Sequence, residues 1–452
     1  MKRILLVMVC VLVLVSGCQS APSVVVSAPA PSETIAPTPS ETPAPTTAPD
    51  PTPTPVPEPA RATVMAVGDL LCLSAQLSEA KSGGDYNFDY CFEAVKEIIS
   101  SADLAIGNLE TLVADGYDYT ASSSDNAAPT TPPGDPAAPE VPDTGETPPI
   151  PDTGDAGMAA LSAGSRALQP PALESEAPAA TATSSGNPRI NAPESFLTAV
   201  LGCGFDVLTN ANNHIGDYKA DGIIKTLEKL DEHGVPHTGA YAAPEDKKPL
   251  IMDVKGINVA ILAYTDILNS SPGRSNRYMI DLYNEDLVAA DIAAAKEAGA
   301  DFIIVSIHWG VEHTHKPNSA QRKMAAFIAN AGADIILGSH PHCTQPFESV
   351  ETERGPVPVL YSLGNFISSM GKTIHKDGVI VCMTLEKAAD TGETTLAELT
   401  YIPTLCGDSG QGRFVVYPAD LASIAGSPIA DALQKSRGRT IEVLTENVAT
   451  AQ

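Results

Sequence analysis

One unit recurs along the chain: a short, β-rich apolar run that stops abruptly at a polar or glycine-containing turn. Such runs occupy residues 63–67, 104–106, 206–208, 259–264, 302–307, 335–337 and 357–361. Helical patterns follow three of them, at residues 220–232, 286–298 and 319–331. Uninterrupted apolar strands that alternate with helices indicate an α/β domain whose sheet is covered on both faces.

Polar side chains follow these runs. In open α/β sheets, ligands bind beyond the carboxyl ends of the strands, so the Asp, Asn, Glu and His residues that end the runs are expected on one rim. These residues are Asp69, Asn108, Glu110, Asn213, His214, His308, His340 and His342. The sequence therefore predicts a functional site at this rim.

The residue types at the rim favour a metal site. His340 and His342 are separated by one residue, so an extended loop can turn both imidazoles toward one point. Asp69 offers a hard oxygen ligand, although a helix N-cap is its alternative role. A mixed His, Asp, Asn and Glu set without thiolate suits Mn²⁺, Zn²⁺ or Fe. The candidates outnumber the ligands of one ion, so we expect two ions, with a single ion as the alternative.

The remaining histidines do not stand directly at the ends of the apolar runs. His313 and His315 lie just beyond His308 and could line the cleft. His233, His237 and His375 do not follow predicted strands, and we expect them to be surface residues.

The N-terminus predicts export. Lys2 and Arg3 precede an apolar run from Ile4 to Val15, which is shorter than the roughly 20 residues of a membrane-spanning helix. Val15-Ser16-Gly17-Cys18 resembles the lipobox of bacterial lipoproteins. We expect residues 1–18 to be a lipoprotein signal peptide, with Cys18 lipidated and the protein anchored outside the cytoplasm to a bacterial membrane. An ordinary signal peptide is the alternative.

Composition divides the rest of the chain. Residues 19–61 are rich in Pro and Thr and predict a disordered, semi-rigid stalk. Residues 115–188 predict a disordered acidic insertion, with a flexible lid as the alternative, because their low hydrophobicity and net negative charge cannot offset the entropy of ordering. The folded domain should therefore comprise residues 62–114 and 189–418, followed by a C-terminal tail at 419–452.

Charge and cysteine content limit the possible partners. The net charge of −28 excludes nucleic acid as a ligand, because binding it requires a basic surface. Six cysteines follow Cys18 without a CxxC pair, so the sequence suggests no thiolate metal site. It leaves both disulfides and buried free thiols open.

The order of the rim motifs resembles that of the CapA family, which is linked to poly-γ-glutamate capsule synthesis and related to calcineurin-like metallophosphoesterases. The motifs are Gly68-Asp69, Gly107-Asn108-Leu109-Glu110, Asn212-Asn213-His214, His308-Trp309-Gly310 with Glu312, Gly338-Ser339-His340-Pro341-His342, and Ser362-Leu363-Gly364-Asn365-Phe366. The resemblance implies layered β-sheets flanked by helices.

The resemblance also implies roles for individual residues. By position it implies metal ligands at Asp69, Asn213, His308, His340 and His342, and a general acid at His214. Asn108 and Glu110 are further ligand candidates, and we expect Glu312, Asn365 and Arg274 to contact substrate. Two departures weaken the first metal position: Leu71 stands where the phosphoesterase pattern has a histidine, and Asn108 replaces an aspartate, so Glu110 is the carboxylate available to supply charge.

Two functions fit these observations. The first is a metallohydrolase that cleaves a phosphoester or a γ-glutamyl amide. The second is a non-catalytic assembly or export factor for an anionic surface polymer such as poly-γ-glutamate, acting in a capsule-synthesis complex. The negative net charge disfavours broad electrostatic capture of a polyanion, so contacts to it should be local, through metals or residues such as Arg274. A plain substrate-binding lipoprotein does not account for the paired histidines.

Overall fold

The structure, a computed structural model, describes residues 58–120, 188–408 and 414–446. The predicted signal peptide with Cys18, the predicted stalk up to residue 57, and residues 121–187 of the predicted insertion lie outside the described residues. No helix in the described ranges is long and apolar enough to cross a membrane.

The described strands and helices alternate along much of the chain. The strands are β1 (Ala60–Leu70), β2 (Lys81–Ser82), β3 (Asp85–Tyr86), β4 (Leu104–Leu109), β5 (Val207–Thr209), β6 (His237–Thr238), β7 (Leu250–Val254), β8 (Ile257–Thr265), β9 (Phe302–His308), β10 (Ile335–Ser339), β11 (Phe347–Thr352), β12 (Gly355–Leu360), β13 (Asn365–Ile367), β14 (Asp377–Lys387), β15 (Thr394–Asp408) and β16 (Phe414–Pro418). The α-helices are α1 (Ser74–Ala80), α2 (Lys96–Ile99), α3 (Glu194–Cys203), α4 (Lys219–Glu232), α5 (Glu285–Glu297), α6 (Ser319–Ala331), α7 (Leu421–Ile424) and α8 (Ala430–Thr445).

The seven predicted apolar runs are divided between two sheets. The first sheet has the order β16-β15-β14-β1-β4-β5-β6, with β13 also paired to β1, and the second has the order β11-β12-β10-β9-β8-β7. Strands β1, β4 and β5 are mutually parallel, as are β8, β9, β10 and β12. The carboxyl ends of the predicted strands therefore lie together within each sheet.

The two sheets pack face to face with helices outside them. Between the sheets, Val64 and Ile106 of the first pack in one buried cluster with Ile304 and Leu337 of the second. The outer face of the first sheet is covered in part by α3 and α4, and that of the second by α5 and α6. The central strands of each sheet are thus buried on both faces, which confirms the predicted layered α/β architecture.

Local capping explains where two of the outer helices begin. The Asn284 side chain accepts hydrogen bonds from the backbone N–H groups of Asp286 and Leu287 at the start of α5. Asn318 accepts from the Gln321 backbone N–H, and the Gln321 side chain accepts from the Asn318 N–H, at the start of α6. Caps of this kind satisfy N–H groups that the first helical turn leaves unpaired.

Part of the segment predicted as a C-terminal tail, residues 419–446, is described by the structure and packs on the domain. Helix α8 packs on β14 and β15, with Leu433 and Leu444 buried. The Arg439 guanidinium donates to both carboxylate oxygens of the buried Asp377, at 2.6 and 2.7 Å. The sequence concealed this helix because it has few apolar residues and contains Gly438.

Of the two alternatives that the sequence left open for the cysteines, disulfides and buried free thiols, the structure has the free thiols. All six in the described residues are free thiols; five are buried and Cys382 is half-buried. They therefore pack as small apolar side chains.

Candidate metal centre

The rims of the two sheets meet at one cluster of polar residues. Asp69 of β1 lies in register with Asn108 of β4, and His308 of β9 lies in register with Ser339 of β10. All eight rim residues predicted from the sequence are buried, with side chains in or next to the cluster: Asp69, Asn108, Glu110, Asn213, His214, His308, His340 and His342.

Glycine permits the close approach that places Asp69. A Cβ atom at Gly68 would lie 1.9 Å from the carbonyl oxygen of Gly364, so only glycine fits there. That carbonyl accepts a hydrogen bond of 3.1 Å from the Asp69 N–H. The Gly68-Asp69 and Gly364-Asn365 motifs, which are far apart in sequence, therefore form one contact at the rim.

The loop after β10 has an unusual backbone. His340 has φ of 96° and His342 has φ of 55°, in the left-handed region that residues with a Cβ seldom adopt. Strain of this kind costs of order 1–3 kcal/mol per residue and gathers at functional sites. Here it accompanies the placement of both imidazoles in the cluster.

The cluster contains two groups of three possible ligands that share Glu110. One comprises Glu110, His308 and His340, and the other Asp69, Glu110 and His342; in each, one ligand atom per residue lies within 4.8 Å of the others. Glu110 Oε1 is 3.6 Å from His308 Nε2 and 3.8 Å from His342 Nε2. A carboxylate shared in this way can bridge two ions.

Unsatisfied oxygens show that this donor set fits divalent cations. Asp69 Oδ2 and both carboxylate oxygens of Glu110 are buried without a hydrogen-bond partner among the described residues. Burial and the neighbouring Asp69 carboxylate raise the pKa of Glu110 well above its ordinary value. Because a buried, unpaired carboxylate is costly, a bound cation would relieve this arrangement.

Two candidate ligand histidines lie in surroundings that favour the neutral ring. His308 Nδ1 lies 2.9 Å from Ser339 Oγ, while its Nε2 faces Asn213 Oδ1 at 3.1 Å and His340 Nδ1 at 3.1 Å. Burial lowers the pKa of His308 and His340 well below the ordinary value, and neighbouring imidazoles add to the effect. Both rings are therefore neutral, as metal binding requires.

His342 is oriented differently, by an amide and a carboxylate. Its Nδ1 lies 3.0 Å from Asn365 Oδ1 and 3.4 Å from Asp69 Oδ2, which leaves Nε2 facing Glu110. Burial lowers the pKa of His342, but Asp69, Glu312 and Asn365 together outweigh that effect and the net shift is upward.

Asn108 takes part through its amide nitrogen. Nδ2 donates a 2.8 Å hydrogen bond to Asp69 Oδ1 and lies 3.5 Å from His308 Nδ1. The opposite amide orientation would bring two oxygens together at Asp69. Asn108 thus holds Asp69 in place, and the other departure, Leu71, packs in a buried apolar cluster with Leu73 and Ile190.

His214 belongs to a buried pair that the sequence analysis missed. Its Nδ1 lies 2.7 Å from Asp217 Oδ2, which also accepts a 2.9 Å hydrogen bond from the Ile190 N–H. Asp217 is 3% exposed. This contact places the Nδ1 proton of His214 toward Asp217 and leaves Nε2 for proton transfer. The available clue was the His-x-x-Asp spacing that follows Asn213.

The three predicted substrate-contacting residues have different settings. Asn365 is buried, and its amide donates to Ser368 Oγ and the His375 carbonyl, both at 3.0 Å, so it orients His342. Glu312 is exposed, with a carboxylate oxygen 3.3 Å from His313 Nε2. Arg274 begins an exposed 3₁₀-helix (Arg274–Met279), and the structure does not bring it into the cluster.

The expectation for one further histidine is wrong. His375 is not a surface residue but only 2% exposed. It lies in the 3₁₀-turn Thr373–His375, and its ring packs against that of His313 at a centroid distance of 4.6 Å. His233 is exposed and paired with Glu194, as expected, whereas His237 is half-buried in β6 and paired with the exposed Asp231.

Comparison with known protein families gives one match that covers more than half of the chain. The family described as "Bacterial capsule synthesis protein PGA_cap" matches residues 63–132 and 171–370. These ranges include every candidate ligand described above.

Curated relatives come from several bacteria. The capsule biosynthesis protein CapA of Bacillus anthracis is 31% identical over 256 residues, 56% of each chain. The PGA biosynthesis protein CapA of Bacillus subtilis is 32% identical over 228 residues, 50% of this chain and 53% of the relative. A probable polyglutamine synthesis accessory protein of Mycobacterium tuberculosis is 28% identical over 170 residues, 35% of this chain and 43% of the relative. The aligned region thus spans about half the length of the two Bacillus relatives.

Solved structures with a similar arrangement are more distant. A calcineurin-like phosphoesterase of Bacillus subtilis is 12% identical with a TM-score of 0.40, and the match covers 85% of this chain and 98% of that one. A phosphatase of Mycoplasma pneumoniae is 10% identical with a TM-score of 0.36, covering 76% and 94%.

Proposed function

Because the chain belongs to the family of bacterial capsule synthesis proteins PGA_cap, we propose that it is a metal-dependent hydrolase that acts in the synthesis or processing of an anionic surface polymer. The observation that carries this proposal is the pair of ligand groups that share Glu110, whose two carboxylate oxygens are buried without a hydrogen-bond partner among the described residues.

The same geometry supports two metal positions. Asp69, Glu110 and His342 would hold one ion, and Glu110, His308 and His340 the other, with the Asn213 amide oxygen beside His308. The absence of thiolate suits Mn²⁺, Zn²⁺ or Fe. When bound, such ions supply Lewis acidity and acidify water at neutral pH.

The chain itself supplies proton transfer. Asp217 holds the His214 ring through Nδ1 and would stabilise the imidazolium form, so that Nε2 can donate a proton to the leaving group. Asn269 Nδ2 lies 3.4 Å from the same Nε2. His214 is 6% exposed, so the proton moves in a nearly water-free setting.

The names of the relatives support the proposed type of polymer. Two of them are named for capsule or PGA biosynthesis, and a third for polyglutamine synthesis. A γ-glutamyl amide and a phosphoester are both bonds that a Lewis-acidic centre with a nearby general acid can hydrolyse. We propose that lipidation of Cys18 holds the protein at the outer face of a bacterial membrane, close to such a polymer.

Metal analysis and turnover test the proposal together. The full chain would be stripped of metal, reloaded with Mn²⁺, Zn²⁺ or Fe²⁺, and assayed on a phosphoester and on a γ-glutamyl amide. We expect two equivalents in the wild type and one or none in His340→Ala. Two bound equivalents without turnover of either substrate would refute hydrolysis, and no bound metal would refute the centre.

A non-catalytic assembly or export role is the second candidate. The observation that favours it is the altered first metal position, where Leu71 is packed in an apolar cluster and Asn108 acts as a hydrogen-bond donor. Surface polymer would be measured in a deletion strain and in a His214→Ala strain. Loss in the deletion strain with unchanged polymer in the point mutant would favour the assembly role.

A further inference from the structure

A second cluster of basic side chains lies beside the metal centre. It consists of His313, on the loop after β9, and Lys372 and His375, on the loop between β13 and β14; we call it the imidazole subsite. We propose that this subsite binds an anionic oxygen group of the substrate, either a carboxylate or a phosphate, next to the reacting bond. This inference deepens the proposed function and rests on it.

Ring distances connect the subsite to the metal centre. The His375 and His313 rings lie 4.6 Å apart, and the His313 ring lies 6.3 Å from that of His342, a candidate ligand. His342 in turn lies 6.0 Å from His340. A group bound at the subsite would therefore lie next to the metal centre.

His375 is the observation that points to a ligand. It is 2% exposed, yet neither ring nitrogen has a hydrogen-bond partner among the residues that the structure describes. A buried polar group without a partner is costly, and native proteins seldom keep one without a role. A neutral imidazole carries one N–H, which can donate to an anionic oxygen.

The cationic group of the subsite is Lys372, although the whole chain is strongly acidic. Lys372 is exposed, makes no ion pair in the described ranges and stands directly before the 3₁₀-turn Thr373–His375. Burial lowers the pKa of both His313 and His375, and the charge of Lys372 adds to that effect. His315 acts on His375 in the same way. Asp377, the nearest carboxylate along the chain, is already bound by Arg439.

Glu312 is the carboxylate that competes for this subsite. Its Oε2 lies 3.3 Å from His313 Nε2, and its side chain is 41% exposed. An incoming anion would displace Glu312 from His313, so removal of the Glu312 charge should strengthen anion binding.

The backbone of His313 supports a specific placement of its ring. Its φ is 65°, in the left-handed region, and its N–H donates a 2.9 Å hydrogen bond to the Pro341 carbonyl. A non-glycine residue in this conformation marks a site where the fold enforces a side-chain position.

A third metal ion is a poorer explanation for the cluster. In the described residues, the groups with three ligand atoms within 4.8 Å are the two that contain Glu110, and neither includes His313 or His375. The basic side chains and the lack of converging ligand atoms fit an anion.

Binding is the direct test. The full chain, with and without Zn²⁺, would be titrated by calorimetry with inorganic phosphate and with γ-glutamylglutamate. We expect Lys372→Ala and His375→Asn to weaken binding at least tenfold, Glu312→Gln to strengthen it, and the bound zinc to be unchanged in all three. His233→Asn and Lys323→Ala, which alter exposed residues elsewhere, should bind as the wild type does.

The outcomes separate this inference from the proposed function. Binding of either probe to the zinc-free protein that is lost in Lys372→Ala supports the subsite even if no turnover is found. Preference for the dipeptide identifies a carboxylate, and preference for phosphate a phosphate. Equal affinity in the wild type and Lys372→Ala, or loss of binding in His340→Ala alone, would overturn the subsite. Because Lys372 is exposed, its substitution tests the inference even if His375→Asn fails to fold.

Discussion

The Asn108 side chain donates a 2.8 Å hydrogen bond to Asp69 Oδ1 across neighbouring parallel strands. The phosphoesterase pattern has a carboxylate at position 108. In this chain the Asn108 amide occupies that position and orients the carboxylate of Asp69. This leaves Glu110 as the residue whose charge is available to both ligand groups.

Asn108→Asp should tighten metal binding and destabilise the metal-free protein. It adds a carboxylate next to Asp69 and Glu110, so like charges repel in the absence of a cation and attract a cation more strongly. We expect metal affinity to rise about tenfold and the metal-free melting temperature to fall. Metal titration and thermal melts check both, with Asn108→Ala as the control that removes the amide without adding charge. Unchanged affinity would contradict the assigned role of Asn108.

Glu110→Gln should have the opposite effect. Removal of a buried carboxylate that neighbours Asp69 relieves repulsion, so the metal-free protein should melt at a higher temperature, while bound metal falls from two equivalents to one or none. A cation at 100 times its Kd stabilises a protein by about 2.7 kcal/mol. A variant that no longer binds the cation loses this stabilisation, so the metal-induced rise in Tm should largely disappear. Elemental analysis and melts with and without Zn²⁺ provide the measurement. The exposed Glu312→Gln should keep both equivalents, and a variant at Glu110 that also does so would refute the shared-ligand assignment.

Asp217→Asn should lower turnover without loss of metal. The amide can no longer stabilise a protonated His214, and general acid–base catalysis contributes about 10²–10⁴-fold. We expect kcat to fall at least 100-fold on whichever substrate the wild type hydrolyses. A double variant with His214→Asn should be no slower than His214→Asn alone, since the pair acts as a unit. Additive losses would show that Asp217 acts elsewhere.

His375 should make stability depend on pH in a defined window. Burial lowers the pKa of His375 to about 3, whereas the ordinary value is 6.5. Between these values the unfolded chain binds a proton that the folded chain does not, so the free energy of unfolding falls as pH falls, by up to about 1.4 kcal/mol per unit. Above pH 6.5 the contribution is constant.

Denaturant unfolding between pH 4 and 8 measures this effect. His375→Asn should show a shallower decline below pH 6.5 than the wild type. Comparison of slopes is insensitive to any uniform loss of stability in the variant. Parallel curves for His375→Asn and the wild type would be the contrary result.

Arg439→Ala should test whether α8 is part of the domain. It leaves the buried Asp377 carboxylate without its guanidinium partner, and breaking such a pair costs about 3 kcal/mol. The exposed Lys435→Ala on the same helix should change stability by less than about 0.5 kcal/mol. Denaturant midpoints compare the two, and equal midpoints would mean that α8 contributes little.

The sequence pattern predicted the strands and helices well because apolar periodicity is a property of short segments. The helical pattern at 319–331 coincides with α6, and each of the seven apolar runs contains or overlaps a strand. The weakly apolar α8 escaped notice because its stability comes from Leu433, Leu444 and Arg439 packing on distant strands.

The sequence by itself determined which residues stand at strand ends, and hence the ligand candidates, because an apolar run and its polar end are adjacent in the chain. Only the tertiary structure decided that Glu110 is shared by His308 and His342, that Asp217 holds His214, and that His375 is buried against His313. These relationships arise where two sheets and their loops meet, so they depend on packing between segments far apart in the sequence, which no local pattern records.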